Sequence, residues 1–438
     1  MKKIYLLNLF LVLFIALNFA GCKKTDANKE ELKIKYHPAT KEELKALVDN
    51  ESINLGEIDT SKITDMSELF RESTRDNFTG IEDWDVSNVT NMILMFHEAV
   101  NFNENISRWN VSNVKDMTYM FGHAYIFNQD ISAWNVSNVE SMQGMFLGAE
   151  SFNQDIGSWD TSNVKYMGQM FNGAESFNQN IGNWNVSNVE DMSSLFLYAE
   201  AFNQDIGKWN VSKVKSMAEM FRGAENFNQD ISKWNVSNVE AMMFMFTNAT
   251  KFNQDISNWD VSNVTNMNSM FYEAASLNQP IGNWDVSSVL DMQGMFCGAI
   301  SFNQDISKWN VYQVETMSYM FNGARNFNQD IGNWNVSSVK NMSEMFKNAK
   351  LFNSDISSWD VSSVVYMSSM FYGAESFNQD IGNWDVSNVE YMNQMFFEAK
   401  SFNQNIDSWD ISNVEEMEEI FTNSPLENNP PAWYYNEY

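Results

Sequence analysis

The chain has 438 residues, a formal charge of −30, two cysteines and three histidines. A surface this acidic repels phosphate backbones and anionic lipid headgroups, which argues against a nucleic-acid partner. Two cysteines are too few for a disulfide framework, and three histidines leave little material for a histidine-based metal site.

The first predicted element is an export signal. Lys2 and Lys3 precede an apolar run from Ile4 to Phe19, which is shorter than the ~20 residues of a membrane-spanning helix. The segment Phe19-Ala20-Gly21-Cys22 resembles the bacterial lipobox, which implies removal of residues 1–21 and a diacylglycerol on Cys22. A plain signal with an incidental cysteine is the alternative. The lipid would be the membrane contact, and residues 22–31 form a polar tether.

Residues 32–57 are predicted to form an N-terminal cap. Thr40-Lys41-Glu42-Glu43 is a capping-box pattern that opens a helix from Lys41 to Val48, and Leu32 to Tyr36 alternates like a strand. Residues 58–70 match the repeat described next in degenerate form, so the predicted solenoid spans residues 58–423.

A 25-residue unit fills most of the chain. Tryptophan recurs at this spacing from Trp84 to Trp409, so fourteen of the fifteen tryptophans hold one structural position, here called position 0. Each interval reads approximately W-(D/N)-V-S-N-V-x-x-M-x-x-M-F-x-x-A-x-x-F-N-Q-D-I-x-x. Leu195 and Ile420 replace methionine at position 11, which keeps the size and loses the sulfur. The methionines are therefore predicted to be core residues. One unit cannot enclose its apolar face, whereas stacked units bury a continuous core.

The predicted fold class is an α/β repeat solenoid that resembles leucine-rich repeats. Apolar positions 5, 8, 11, 12 and 15 have helical spacing, and glycine at position 14 would end a helix of about two turns. The segment F-N-Q-D-I-x-x-W-D-V predicts short parallel strands. A second short strand beginning at position 5 is the alternative.

Polar positions also recur. Asparagine fills position 19 from Asn103 to Asn403, which predicts an amide ladder along the axis. Serine at position 3 and asparagine at position 4 are predicted to hold turn backbone. Residues 424–438, with three prolines and new aromatic residues, are predicted to cap the last coil.

These units are similar to the repeats of BspA-like bacterial surface proteins, over about residues 33–438. The resemblance rests on W-D-V-S-N-V-T-N-M-x-x-M-F, on F-N-Q-D-I and on the Pro-Pro-x-Trp-Tyr end. It implies a surface-displayed lipoprotein that takes part in adhesion or binds host matrix proteins. It assigns no binding residue.

Function is expected where units differ, outside the constant core. Positions 7 and 10 would share one helical face, and their aromatic residues are the candidate contacts for a protein or glycan partner. Lateral packing between coils is the alternative. The candidates are Tyr119, Tyr166, Phe244, Tyr319, Tyr366 and Tyr391.

A metal site has little support. Asp205, Asp230 and Asp255 stack at position 21 on consecutive coils and are weak candidates for calcium, but the glycine-rich signature of calcium-binding solenoids is missing. No cofactor is expected. Carboxylates and serines repeat by position without a unique converging set, so a non-enzymatic protein is expected. Two functions remain open: a binding solenoid of the cell envelope, outwardly displayed, or a structural or antigenic coat without a dedicated ligand.

Overall fold

The computed structural model describes residues 33–436. The predicted signal segment, Cys22 and the polar tether lie outside the described residues.

The N-terminal cap contains the predicted helix, α1, at Lys41–Val48. The Thr40 hydroxyl accepts a hydrogen bond from the Glu43 backbone N–H at 3.3 Å, and the Glu43 carboxylate accepts one from the Ala39 N–H at 2.7 Å. These contacts satisfy N–H groups that have no partner within the helix. The helix prediction is confirmed. The predicted strand is not formed in the described part of the cap, where Tyr36 makes a single parallel bridge to Ile58.

A buried arginine ties this cap to the solenoid. Arg75 is 3% exposed, and its guanidinium donates to the carbonyls of Val48 at 2.9 Å, Ile53 at 2.6 Å and Asn77 at 2.7 Å. Burial lowers the pKa of Arg75. Two 3₁₀ helices, Leu55–Glu57 and Ile81–Asp83, complete the junction.

The repeat units form coils joined by backbone hydrogen bonds. The N–H groups of positions 8, 10, 12 and 14 donate to the carbonyls of positions 7, 9, 11 and 13 of the next coil. The N–H groups of positions 11, 13 and 15 donate three residues back within their own coil. In the first coil the donors to the next one are Met92, Leu94, Phe96 and Glu98, at 2.7 to 3.0 Å.

The predicted helix in each coil is therefore wrong. Alternate N–H groups donate to the next coil, and the others donate to the carbonyl three residues earlier and close tight turns. The i→i−4 hydrogen bonds of an α-helix therefore do not form in the coils. These turns still direct positions 8, 11, 12 and 15 into the core, which is why the apolar spacing imitated a helix. The predicted strand pieces are absent from the coils between residues 58 and 423. Parallel pairing there consists of one bridge per coil at position 7. This bridge at position 7 lies nearer to the alternative strand, which was predicted to begin at position 5, than to the predicted strands of the F-N-Q-D-I-x-x-W-D-V segment.

Two residues in every coil have left-handed backbone. Positions 10 and 14 have φ between 52° and 71° in all fourteen coils, and non-glycine residues occupy most of them. This conformation costs an L-residue roughly 1–2 kcal/mol. The coil-to-coil hydrogen bonds on both sides hold it in place. Glycine at position 14 thus serves a left-handed turn rather than a helix end.

The core consists of columns of identical side chains along the axis. Position 0 tryptophans, position 12 phenylalanines and position 8 methionines are almost completely buried. From Trp109 to Trp409 each indole N–H donates to an isoleucine carbonyl 28 residues earlier, as Trp234 does to Ile206 at 3.1 Å, and Trp84 donates to the Leu55 carbonyl of the cap at 2.9 Å. The indole therefore buries its apolar body without leaving its N–H unpaired.

The asparagine ladder is confirmed. The side-chain oxygen of Asn228 accepts the backbone N–H of Asn253 at 2.9 Å and the Gln254 Nε2–H at 3.0 Å. Position 4 behaves as predicted too, because Asn238 Nδ2 donates to the Ser212 carbonyl at 2.7 Å. Polar side chains thus join successive coils at positions outside the backbone ladder.

Successive coils are closest at the backbone ladder. Stacked rings are 4.6 Å apart at position 13, between Tyr372 and Phe397, and 5.7 Å apart at position 12, between Phe171 and Phe196. The tryptophan rings are 6.3 to 6.5 Å apart. The coils therefore splay toward the tryptophan side, and the solenoid curves with the backbone ladder on its inner side.

The C-terminal cap contains 3₁₀ helices at Pro425–Glu427 and Ala432–Asn436. Trp433 follows Trp409 by 24 residues rather than 25, stacks on it at 6.5 Å and donates its indole N–H to the Ile406 carbonyl at 2.9 Å. The fifteenth tryptophan therefore makes the contacts of position 0, although its 24-residue spacing departs from the repeat.

Candidate binding face

The residues at positions 7, 9, 10, 13 and 14 border the backbone ladder and form what we call the inner face. Between them, positions 8, 11 and 12 are buried in the core. Inner-face residues change from coil to coil, whereas the core residues stay nearly constant. The inner face is therefore a variable surface on a constant frame.

The predicted aromatic contacts all lie on this face, though not on a helix. Tyr166 is 50% exposed, Tyr366 is 43% exposed and Tyr319 is 37% exposed. Tyr119, Phe244 and Tyr391 are half-buried. The six residues occupy two columns, positions 7 and 10, and only part of the set is open to a partner.

Tyr119 and Phe244 are among the candidates that pack against neighbouring coils. Tyr119 lies over Gly144, where an added Cβ would be 2.1 Å from the tyrosine ring, and its hydroxyl donates to Gln169 Oε1 at 2.7 Å. The Arg222 guanidinium lies 5.2 Å from the centre of the Phe244 ring. For these two residues the lateral-packing alternative describes the contacts.

The C-terminal part of the inner face carries an aromatic cluster. Tyr366 stacks on Tyr391 at 5.1 Å, Tyr372 stacks on Phe397 at 4.6 Å, and Lys347 Nζ lies 5.0 Å from the centre of the Tyr372 ring. The 25-residue spacing predicts such stacks, because equal positions meet on adjacent coils. The nearby Glu415 carboxylate raises the pKa of Tyr391.

The aspartates at position 21 have a structural partner within their own turn. The carboxylates of Asp205, Asp230 and Asp255 each accept the backbone N–H two residues later, at 2.9 to 3.0 Å. Hydrogen bonds from the serine side chain and then from that N–H lower the pKa of Asp230 and of Asp255. The position 21 carboxylates therefore stabilise the backbone turns that begin at these aspartates.

The reactive groups of the described residues do not converge. Between residues 33 and 436, no three or more His, Cys, Asp or Glu side chains are grouped closely enough to hold a metal ion. Cys297 at position 13 is 8% exposed, and burial raises its pKa to about 12. Its thiol is therefore protonated near neutral pH.

The coils, their capped ends and the variable inner face define a repeat solenoid. The chain belongs to the family described as "Mycoplasma protein of unknown function, DUF285", which matches residues 42–155, 127–225, 178–279, 245–350 and 325–433. No curated protein matches the chain.

Among solved structures, the chain is similar to the functional domain of InlJ from Listeria monocytogenes, which includes a cysteine ladder. The identity is 9%, over 75% of this chain and 68% of that chain, with a TM-score of 0.19. Within residues 33–436, every helix is too short or too polar to span a membrane.

Proposed function

We propose that this chain is a non-enzymatic lipoprotein of the outer cell surface that binds a protein or glycan partner along its inner face. On the basis of the repeat motif, we include in this proposal that the chain is a BspA-like surface protein. The observation that carries it is the contrast between a fully buried, nearly constant frame and an inner face that varies at every coil.

The exposed tyrosines support binding rather than packing alone. Tyr166, Tyr319 and Tyr366 lie on coils 4, 10 and 12 of fourteen, so they span about 40 Å if each coil rises ~4.8 Å. Tyrosine offers a large rigid contact area at low entropic cost, and such side chains are frequent anchors of interfaces. An extended partner that follows the axis would contact all three.

The binding proposal is tested with the purified full-length mature chain against a panel of extracellular-matrix proteins and glycans. A variant with Tyr166→Ser, Tyr319→Ser and Tyr366→Ser is expected to bind its partner at least tenfold more weakly. The matched control is Tyr312→Ser, which removes a 54% exposed tyrosine at position 3, away from the inner face, and restores the serine usual there.

Equal affinity of the triple variant and the control would contradict the inner-face proposal, provided that both retain the circular dichroism spectrum of the parent chain. An absence of saturable binding across the whole panel would favour the coat protein without a dedicated ligand.

The anchoring proposal is tested in cells with Cys22→Ser. The lipid is expected to supply the membrane attachment because the acidic surface does not favour it. The variant should therefore leave the membrane fraction and lose incorporation of labelled fatty acid. Continued membrane association without label would contradict lipid anchoring. Accessibility of the parent protein to protease on intact cells separates outer display from a location beneath the surface.

A further inference from the structure

A trough of about 500 Å³ opens on the inner face where two consecutive coils have glycine at position 14. Gly148 and Gly173 form its floor. A Cβ added at Gly173 would meet only the Gly148 backbone, at 3.4 Å or more. The missing side chains thus leave free space along the axis, between the side chains of the coils before and after the pair.

Aromatic and apolar side chains bound this space. His123 lies over Gly148 at one end, and Tyr198, which is 44% exposed, stands at the other. Tyr125, 39% exposed, and Leu147 also line the trough. These groups can cover the aliphatic stem of a long side chain, and tyrosine rings attract a cation placed over their faces.

Three glutamates form one edge of the trough. Glu150, Glu175 and Glu200 occupy position 16 on consecutive coils and line the trough, and all three are exposed. In the part of the chain described, their carboxylates make no hydrogen bond or ion pair. The backbone N–H of Ser176 donates to the Glu150 carbonyl and that of Ala201 to the Glu175 carbonyl, each at 3.1 Å, so the glutamates follow one another at the coil spacing.

A second pair of glycines shows that the acidic edge is local. Gly298 and Gly323 repeat the same backbone, with φ of 69° and 71°. Position 16 of these coils carries Ile300 and Arg325 instead of glutamate, and the Glu273 carboxylate lies over Gly298. The space over Gly298 and Gly323 therefore has the same glycine floor as the trough, but its edge is apolar and basic instead of acidic.

We propose that the trough over Gly148 and Gly173 binds a lysine- or arginine-bearing extended peptide segment of a protein partner. Side chains on one face of an extended peptide repeat every second residue, so basic residues at alternate positions would all face the glutamate row. Alternate basic residues would thus meet successive carboxylates while their stems contact the rings. This inference rests on the proposed binding function and names the partner chemistry of one site.

The probe is a fluorescent peptide of alternating lysine and serine, titrated into the full-length mature chain and followed by anisotropy at 0.15 M salt. We expect saturable binding, weakened at least tenfold by the isosteric set Glu150→Gln, Glu175→Gln and Glu200→Gln. A control set, Glu190→Gln, Glu240→Gln and Glu315→Gln, makes the same change in net charge away from the trough and should leave the affinity within twofold.

Equal weakening by both sets would overturn the site, because it would show attraction to the overall charge only. Unchanged affinity of the trough set, or tight binding of a neutral glycan that competes with the peptide, would also overturn it. Loss of partner binding in the tyrosine-to-serine variant with no peptide binding would leave the proposed function standing and reject this inference alone.

Discussion

The tryptophan side of the coil and its inner face meet different demands. Position 0 is tryptophan in all fourteen coils and repeats one hydrogen bond, whereas position 14 holds five kinds of residue on the same left-handed backbone. Burial explains the first observation, because a misfit inside a close-packed column is costly. On the inner face the backbone hydrogen bonds fix the conformation, so the side chain is free to change.

The largest expected effect comes from opening the tryptophan side. Trp234→Ala in coil 7 removes a buried ring and leaves the Ile206 carbonyl without its donor. We expect a loss of about 3–5 kcal/mol in the free energy of unfolding, measured by urea denaturation. Tyr312→Ser is the surface control. A loss below about 1 kcal/mol would show that the column is not packed as described.

A smaller effect is expected from the asparagine ladder. Asn228→Ala removes the acceptor of the Asn253 N–H and the Gln254 side-chain amide, and should cost about 1–3 kcal/mol. Asn228→Asp keeps an acceptor oxygen and should cost less than half as much at pH 7. If urea denaturation gave the same loss for both variants, the accepting role of the side-chain oxygen would be excluded.

The inner face should tolerate change better, at the cost of left-handed strain. Gly173→Ala has space for its Cβ, so we expect a loss near 1 kcal/mol from φ of 69° alone. Gly173→Asn should cost less, since asparagine occupies this position at Asn248 and Asn348. Gly168→Ala, at a position without positive φ, is the control and should be near neutral in the same assay. A loss from Gly173→Ala comparable to that of Trp234→Ala would remove the contrast between the two sides.

The smallest effect is the pH dependence of the turn carboxylates on the tryptophan side. Hydrogen bonds from serine side chains, and then from backbone N–H groups, lower the pKa of Asp230, Asp255 and Asp285 below the usual aspartate value. A lowered folded-state pKa stabilises the fold above the unfolded pKa near 3.9, and this contribution disappears as pH falls through the folded value.

Melting temperature should therefore be flat from pH 7 to 5 and fall below about pH 4. A variant with these three aspartates changed to asparagine should show a shallower fall, because asparagine also accepts the turn hydrogen bond, as Asn180 does from Gly182 at 3.0 Å. If the melting temperature fell equally steeply below about pH 4 in the variant and the parent, these three aspartates would not be the source of the acid sensitivity.

The repeat, its core and its cap helix could be predicted from sequence because each depends on a local or periodic pattern. Thr40 and Glu43 identify the helix start, and Trp84 to Trp409 identify the coil. The backbone inside the coil could not be predicted in the same way, because its N–H groups find partners 24 residues away. A signal for it was present in the glycines at positions 10 and 14, such as Gly144 and Gly148, which are four residues apart and both left-handed.

The candidate site was predicted in part. The varied positions identified the inner face and its exposed tyrosines, but sequence alone did not separate Tyr166, which is half exposed, from Tyr119, which bonds to Gln169. That difference depends on the side chain that the adjoining coil places beside the ring, such as Gly144 beside Tyr119, so it becomes visible only when the coils are stacked.

The hydrogen bond of Trp433 to Ile406 is of the same kind as every interior one, so the last coil presents to the cap the surface that it presents to another coil. Deleting residues 234–258, or duplicating them, would leave every type of contact in place. Length is therefore an independent property of this protein. Unequal recombination between the near-identical repeats of its gene would shorten or lengthen the molecule in whole coils, and bring different side chains side by side, without any need to redesign the fold.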